Sequence, residues 1–119
     1  MLRKILLSVS FVAIACFSAA TIGDDAVTAD PEHYTVEFEN EKVRIIRIKY
    51  GPGEKSVMHS HAQNVAINLT AGTVRMTLPD GSSTDVSPDA GSAEWNEAGE
   101  HLPENLSDEP MEVVLIEVK

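Results

Sequence analysis

Only one cysteine, Cys16, occurs in the 119 residues, so no disulfide can form within the chain and no cysteine-based zinc site can be built. Amphipathic helices are missing as well: beyond the first twenty residues no stretch repeats apolar side chains at i, i+3 and i+4. There is no glycine-rich phosphate loop, no Gly-x-Ser-x-Gly elbow, no nucleophilic cysteine after Cys16 and no stripe of basic and aromatic residues. Positive charge is scarce, nine Lys and Arg against nineteen Asp and Glu, for a formal net charge of −10. Such a surface repels nucleic acid and anionic lipid, and no nucleic-acid partner is expected.

The longest apolar run lies at the start. Arg3 and Lys4 precede an uncharged stretch from Ile5 that ends in the small residues Ser18, Ala19 and Ala20, the order of a secretory signal peptide spanning 1–20. Cleavage there removes two basic residues and leaves a chain with a charge of −12. Two alternatives stay open. Ala13-Ile14-Ala15-Cys16 is a loose lipobox, which would make this a lipoprotein anchored through Cys16, and Ile5–Gly23 is near the minimum length for an uncleaved membrane anchor. The protein is expected to be exported, periplasmic or secreted, touching membrane only through that signal or lipid. Residues 21–32, acidic, small and proline-ended, read as a flexible linker, and 33–119 as one domain, about the size a single core can support.

Within that domain short β-prone runs alternate with turn signals. Tyr34, Val36 and Phe38 alternate as one face of a half-buried strand. The run from Lys42 to Tyr50 changes apolar parity at Ile45-Ile46, predicting a bulge or burial on both faces. Thr73–Leu78 and Ser82–Val86 flank Pro79-Asp80-Gly81 as a hairpin, Ser92–Glu97 carries Ala93 and Trp95 on one face, and Met111–Val118 is a final apolar strand. Seven or eight such strands predict an all-β sandwich or barrel. Strands near both ends, Lys42–Tyr50 and Met111–Val118, would leave an exposed edge, so a homodimer is expected.

Four histidines are present, and two of them form His59-Ser60-His61. Residues two apart on a strand share a face, so both imidazoles can enter one cavity as metal ligands. Val57, Val65, Ile67 and Leu69 have the same parity, which places the pair against a core. His101 follows in a second glycine-opened stretch, whereas His33, alone at a strand start, reads as a surface or packing residue and is left out of the site.

Gly53, His59, His61 and Gly72 fall in register with Gly, five residues, His-x-His, three or four residues, Glu, six residues, Gly, and Gly91, Gly99, His101 and Asn105 follow a second motif of glycines, histidine and asparagine. The chain resembles the cupin superfamily over roughly 53–105. Where that family has its glutamate, this sequence has Val65 or Ala66, depending on spacing, and Glu97 stands where proline is usual. The resemblance implies a small jelly-roll β-barrel preceded by the signal segment, with His59, His61 and His101 holding a divalent transition metal: Fe, Zn, Ni, Cu or Mn. Gln63, Val65 and Trp95 are candidates for a second ligand layer or a substrate cavity, Glu97 and Glu100 flank the second motif, and Arg44, Arg47 and Arg75 could meet an anionic substrate or merely solvate a strand face. Because neutral imidazoles bind the metal, occupancy is expected to fall as pH drops through about 6.5. Two functions follow. One is a metal-dependent enzyme, oxygenase-like or isomerase-like, acting on a small molecule; the other is a non-catalytic cupin that binds a small ligand or metal. A third option is that the histidines are simply packed in the core.

Overall fold

The computed structural model describes residues 23–119. The signal-peptide, lipobox and anchor expectations for 1–20 lie outside these residues. After a short helix, α1 (Ala26–Ala29), come nine strands: β1 (Tyr34–Glu39), β2 (Val43–Tyr50), β3 (His59–His61), β4 (Asn64–Asn68), β5 (Val74–Thr77), β6 (Ser83–Val86), β7 (Ala93–Asn96), β8 (Gly99–Asn105) and β9 (Met111–Val118). They form a five-stranded sheet, β1-β2-β9-β4-β7, and a four-stranded one, β3-β8-β5-β6, the two layers of a jelly-roll barrel. Every pairing between these strands is antiparallel. The β5–β6 hairpin turns where expected, with Gly81 at a φ of 86° that suits glycine.

Ile46, Ile48 and Tyr50 of β2 and Leu115 of β9 are buried in the core. Val43 and Ile45, of opposite parity, are half-buried on the outer face, so β2 is two-faced as its sequence suggests. The bulge lies across the pair: β2 matches β9 residue for residue, while the β1 register slips between Val36 and Phe38. That extra residue turns Phe38 outward, opposite Ile45, and explains why Tyr34 is buried while Phe38 is 51% exposed. The expected common face for Tyr34, Val36 and Phe38 therefore breaks at the bulge.

Three further expectations are corrected. The histidine parity does not continue into β4, whose buried residues are Asn64, Ala66 and Asn68. The reason is topological: β3 pairs with β8, β4 pairs with β7 and β9, and the chain changes sheet at Ala62-Gln63, which resets the alternation. Val65 consequently faces outward. Secondly, β2 and β9 are interior neighbours, so the edge argument for a dimer fails; the edges of that sheet are β1 and β7.

The third correction concerns the presumed linker. Within its described part, Asp25 caps α1 by accepting from Val27 N–H, Ala26 is fully buried, and Ser60 N–H donates to Asp24 O at 2.8 Å. Composition misleads here because the acidic side chains have specific partners in the barrel: Asp25 pairs with Arg44, and Asp30 accepts from Ser56.

Candidate metal centre

His59 of β3 lies directly opposite His101 of β8, and His61 opposite Gly99. The glycine leaves His61 without a side chain across from it. The three rings meet at centroid separations of 4.8, 4.9 and 5.1 Å with interplanar angles of 88°, 89° and 72°, and one ring nitrogen from each lies within 4.8 Å of the others. Edge-to-face rings converging on a point present their lone pairs to it rather than stacking their faces. The structure thus brings together the three histidines singled out in the sequence.

Proton positions follow from the outer nitrogens. His59 Nδ1 is 2.8 Å from Val57 O, a group that can only accept, so this nitrogen carries the hydrogen and Nε2 has the free lone pair. His61 Nδ1 lies 3.3 Å from a carboxylate oxygen of Glu117 and donates to it. The two Nε2 atoms then face each other at 3.0 Å. At that distance the pair needs either a hydrogen on one Nε2 or a cation beside both, and a divalent metal would meet both together with His101. Burial holds His59 down to about 4 and His101 to about 3, and in each case the charge of a neighbouring histidine adds to the effect. Protonation of these two imidazoles is displaced well below the ordinary histidine range, so the expected loss of occupancy near pH 6.5 does not come from them.

Glu117 was not foreseen. It is 3% exposed, holds His61 with one oxygen and accepts from Arg44 Nε at 2.6 Å with the other, and Arg44 reaches on to Asp25. Burial works to raise its pKa, but the hydrogen bonds from His61 and Arg44 and their charges hold it below the ordinary carboxylate value. The available signal was an acid on the inward parity of an otherwise apolar strand, Met111, Val113, Leu115, Glu117. Such a carboxylate orients a ligand from behind and does not replace one. In front, the inward position is Ala66, so no carboxylate comes from β4.

The other sequence candidates stand elsewhere. Gln63 is exposed at the sheet crossing, and its backbone carbonyl accepts from Val118. Val65 and Trp95 are cross-strand partners on the outer face, with Trp95 50% exposed and its indole donating to Glu97 at 2.8 Å. None of the three lines the cavity. Glu97 and Glu100 do line it, and Glu100 also accepts from Gly23 N–H. The cavity, about 640 Å³ between the two sheets, is walled by Ile48, Val74, Met76, Met111 and Leu115 and receives the rings of His61 and His101. No lysine or arginine lines it among the described residues. Arg47 and Arg75 are instead paired with Glu37 and Asp85.

A cupin domain from Bordetella pertussis Tohama I is similar at 30% identity and a TM-score of 0.68, covering 72% of this chain and 91% of that one. The chain belongs to the cupin superfamily. Two further structures share the cupin fold. A double-stranded β-helix domain protein of Klebsiella pneumoniae matches at 20% identity and a TM-score of 0.57, over 70% of this chain and 72% of its own. An RmlC-like cupin of Methanocaldococcus jannaschii matches at 19% and 0.56, over 75% of this chain and 83% of its own. No family model matches the sequence, and no curated protein matches it. This cupin fits a metal by its donor set: three imidazoles, two of them in the tautomer a ligand needs.

Proposed function

We propose that this cupin binds a divalent transition metal through His59, His61 and His101 and presents it to a small, largely apolar molecule held between the sheets. The observation that carries this reading is the pair of Nε2 atoms facing each other at 3.0 Å with both outer nitrogens already committed as donors. Iron, zinc, nickel, copper and manganese are all compatible with three imidazoles, with affinity rising toward copper.

When bound by neutral ligands alone, such an ion keeps its full charge and acts as a Lewis acid toward an oxygen of water or substrate. The protein's part is to hold the three rings, exclude water with the aliphatic wall and select by charge. Among the described residues no lysine or arginine lines the cavity while Glu94, Glu97 and Glu100 do, so an anionic group could be held there only by the metal itself. This sets aside a substrate-binding role for Arg44, Arg47 and Arg75. A metal site opening into a cavity large enough for a small organic molecule supports oxygenase-like or isomerase-like chemistry. The non-catalytic binder is favoured by one observation, the alanine at position 66 where a carboxylate ligand would face the metal.

Titration of chelator-treated protein with each metal tests the core of the proposal. Tight one-to-one binding that is lost in His59→Ala, His61→Ala and His101→Ala supports it; binding unchanged in His101→Ala would refute it. Elemental analysis of protein from its native source names the metal, and oxygen uptake with neutral apolar compounds separates enzyme from binder.

Two proposals concern the molecule's setting. Export, with removal of 1–20 or lipidation at Cys16, rests on the sequence and is read by intact mass. A homodimer is proposed on the outer sheet face, where Phe38, Ile45, Ile116, Val65 and Trp95 line up across all five strands.

A further inference from the structure

His33, set aside by its isolation in the sequence, is joined to the metal centre by an unbroken line of hydrogen bonds. Ser56 Oγ lies 3.1 Å from His59 Nδ1 and donates to Asp30 Oδ2 at 2.7 Å. The same Asp30 oxygen is 2.7 Å from His33 Nδ1, and His33 Nε2 is 2.7 Å from Glu54 Oε2. The line runs from a fully buried imidazole to a carboxylate that is 45% exposed.

The direction of each bond is fixed by what each group can do. The Ser56 hydrogen goes to the carboxylate, so its lone pair accepts from His59 Nδ1–H, which also points to Val57 O. His33 has a carboxylate on each nitrogen and donates to both, which makes it an imidazolium. Its ring is stacked on Tyr50 at 4.5 Å and 11°. Burial opposes the charge, but the bonds to Glu54 and Asp30 outweigh it and raise the histidine above its ordinary value. Glu32, Lys49 and Glu112 line the small surface cavity beside it, and Tyr34 lies against Tyr50 behind it. Glu32, His33 and Glu54 are close enough to suggest a second metal site, but His33 donates through both nitrogens and has no lone pair to offer.

We propose that His33 is a positioning residue for the metal centre, acting through Asp30 and Ser56 on His59, and that it makes metal affinity respond to pH. As an imidazolium it balances one of its two carboxylates. Once it loses its proton, the Asp30–His33–Glu54 group gains one unit of negative charge behind His59, and a divalent cation in front of His59 is held more tightly. Linkage requires the reverse effect: binding the metal makes His33 easier to deprotonate. Comparison with His33→Gln separates the His33 step from any titration of the three ligand rings.

This inference rests on the three-histidine metal reading, and the experiment is chosen to separate their failures. Zinc affinity is measured by chelator competition from about pH 6 to pH 9 in the wild type, His33→Gln and Glu54→Gln. In parallel, NMR follows the His33 and His59 rings in zinc-free and zinc-loaded protein. The wild type should gain about five-fold or more in affinity beyond His33→Gln as His33 deprotonates. Glu54→Gln, a change at an exposed side chain, should move that step to lower pH, and zinc should lower the pH at which His33 titrates. In zinc-free protein the His59 ring signals should shift with the His33 titration. Parallel profiles in all three proteins, with His33 unmoved by zinc, would overturn the relay and leave the metal site standing. Failure of the wild type to bind zinc would overturn the metal reading, and the zinc-free His33–His59 coupling would still be decided, its absence refuting the relay by itself.

Discussion

Acidifying the metal-free protein from about pH 7 to about pH 5 should cost it about 4 kcal/mol of stability through His59 and His101. His59 and His101 are held by burial at about 4 and about 3 in the folded state, below the ordinary histidine value. The unfolded chain therefore takes up these protons first as pH falls. Stability from such groups is fully present above the unfolded value and is lost as pH falls toward the folded one. At pH 5 each imidazole that must stay neutral costs about 2 kcal/mol, which for two gives the figure above. His33 works in the opposite sense: its value is raised, so its contribution is present at low pH and lost as pH rises through the folded value, and it offsets part of the loss. Asp25, Asp30 and Glu117, all lowered, contribute fully above the ordinary carboxylate range and lose that contribution as pH falls through that range toward their lower folded values, mostly below this window. The assay is denaturant unfolding with a chelator at the two pH values, in wild type and His101→Ala. Removing one of the two imidazoles should roughly halve the pH-dependent loss, whatever the variant's stability at neutral pH. An equal loss in wild type and variant, or no loss in either, would refute the argument.

Ala66→Glu, which puts a carboxylate on the inward face of β4, should favour manganese relative to copper in competition titrations, while Val65→Glu, pointing outward, should leave metal selectivity unchanged. Glu117→Gln should weaken metal binding by about ten-fold, read by chelator competition, because His61 loses the carboxylate that fixes its tautomer. Trp95→Lys and Phe38→Lys, both on the exposed apolar row, should reduce self-association in sedimentation at micromolar concentration without changing metal affinity. In metal-free protein a neutral apolar ligand should protect from thermal unfolding more than its carboxylate analogue does, a difference that calorimetry reads directly, because the charged side chains lining the cavity are all carboxylates.

Strand-level alternation made the barrel readable because it depends only on neighbours within one strand, and the two histidine stretches pointed to the three rings that the structure gathers. What failed did so where the chain changes partner. Parity extrapolated from His61 to Val65 assumed one sheet, but Ala62 and Gln63 carry the chain from one layer to the other. Edge strands could not be assigned because Val43–Tyr50 and Met111–Val118, remote in sequence, lie side by side in space. Glu117, Asp30 and Ser56 escaped notice because each looks ordinary in its own stretch, an acid near the chain end, an acid in a polar run and a serine in a loop. Their roles arise from contacts across 56, 26 and 26 residues of sequence.

The segment ahead of the first strand gives the protein two different boundaries. A chain shortened to begin at His33 would keep all nine strands, and by its sheets it would count as whole. It would lack Asp25 against Arg44 and Asp30 against Ser56, together with the Asp24 carbonyl that receives Ser60 N–H between the two motif histidines. The segment that supplies the strands is thus smaller than the segment that holds the site in order. Proteolysis between Gly23 and Pro31 is therefore expected to loosen the three-histidine centre, a form of damage that metal content would report and that strand content alone would understate.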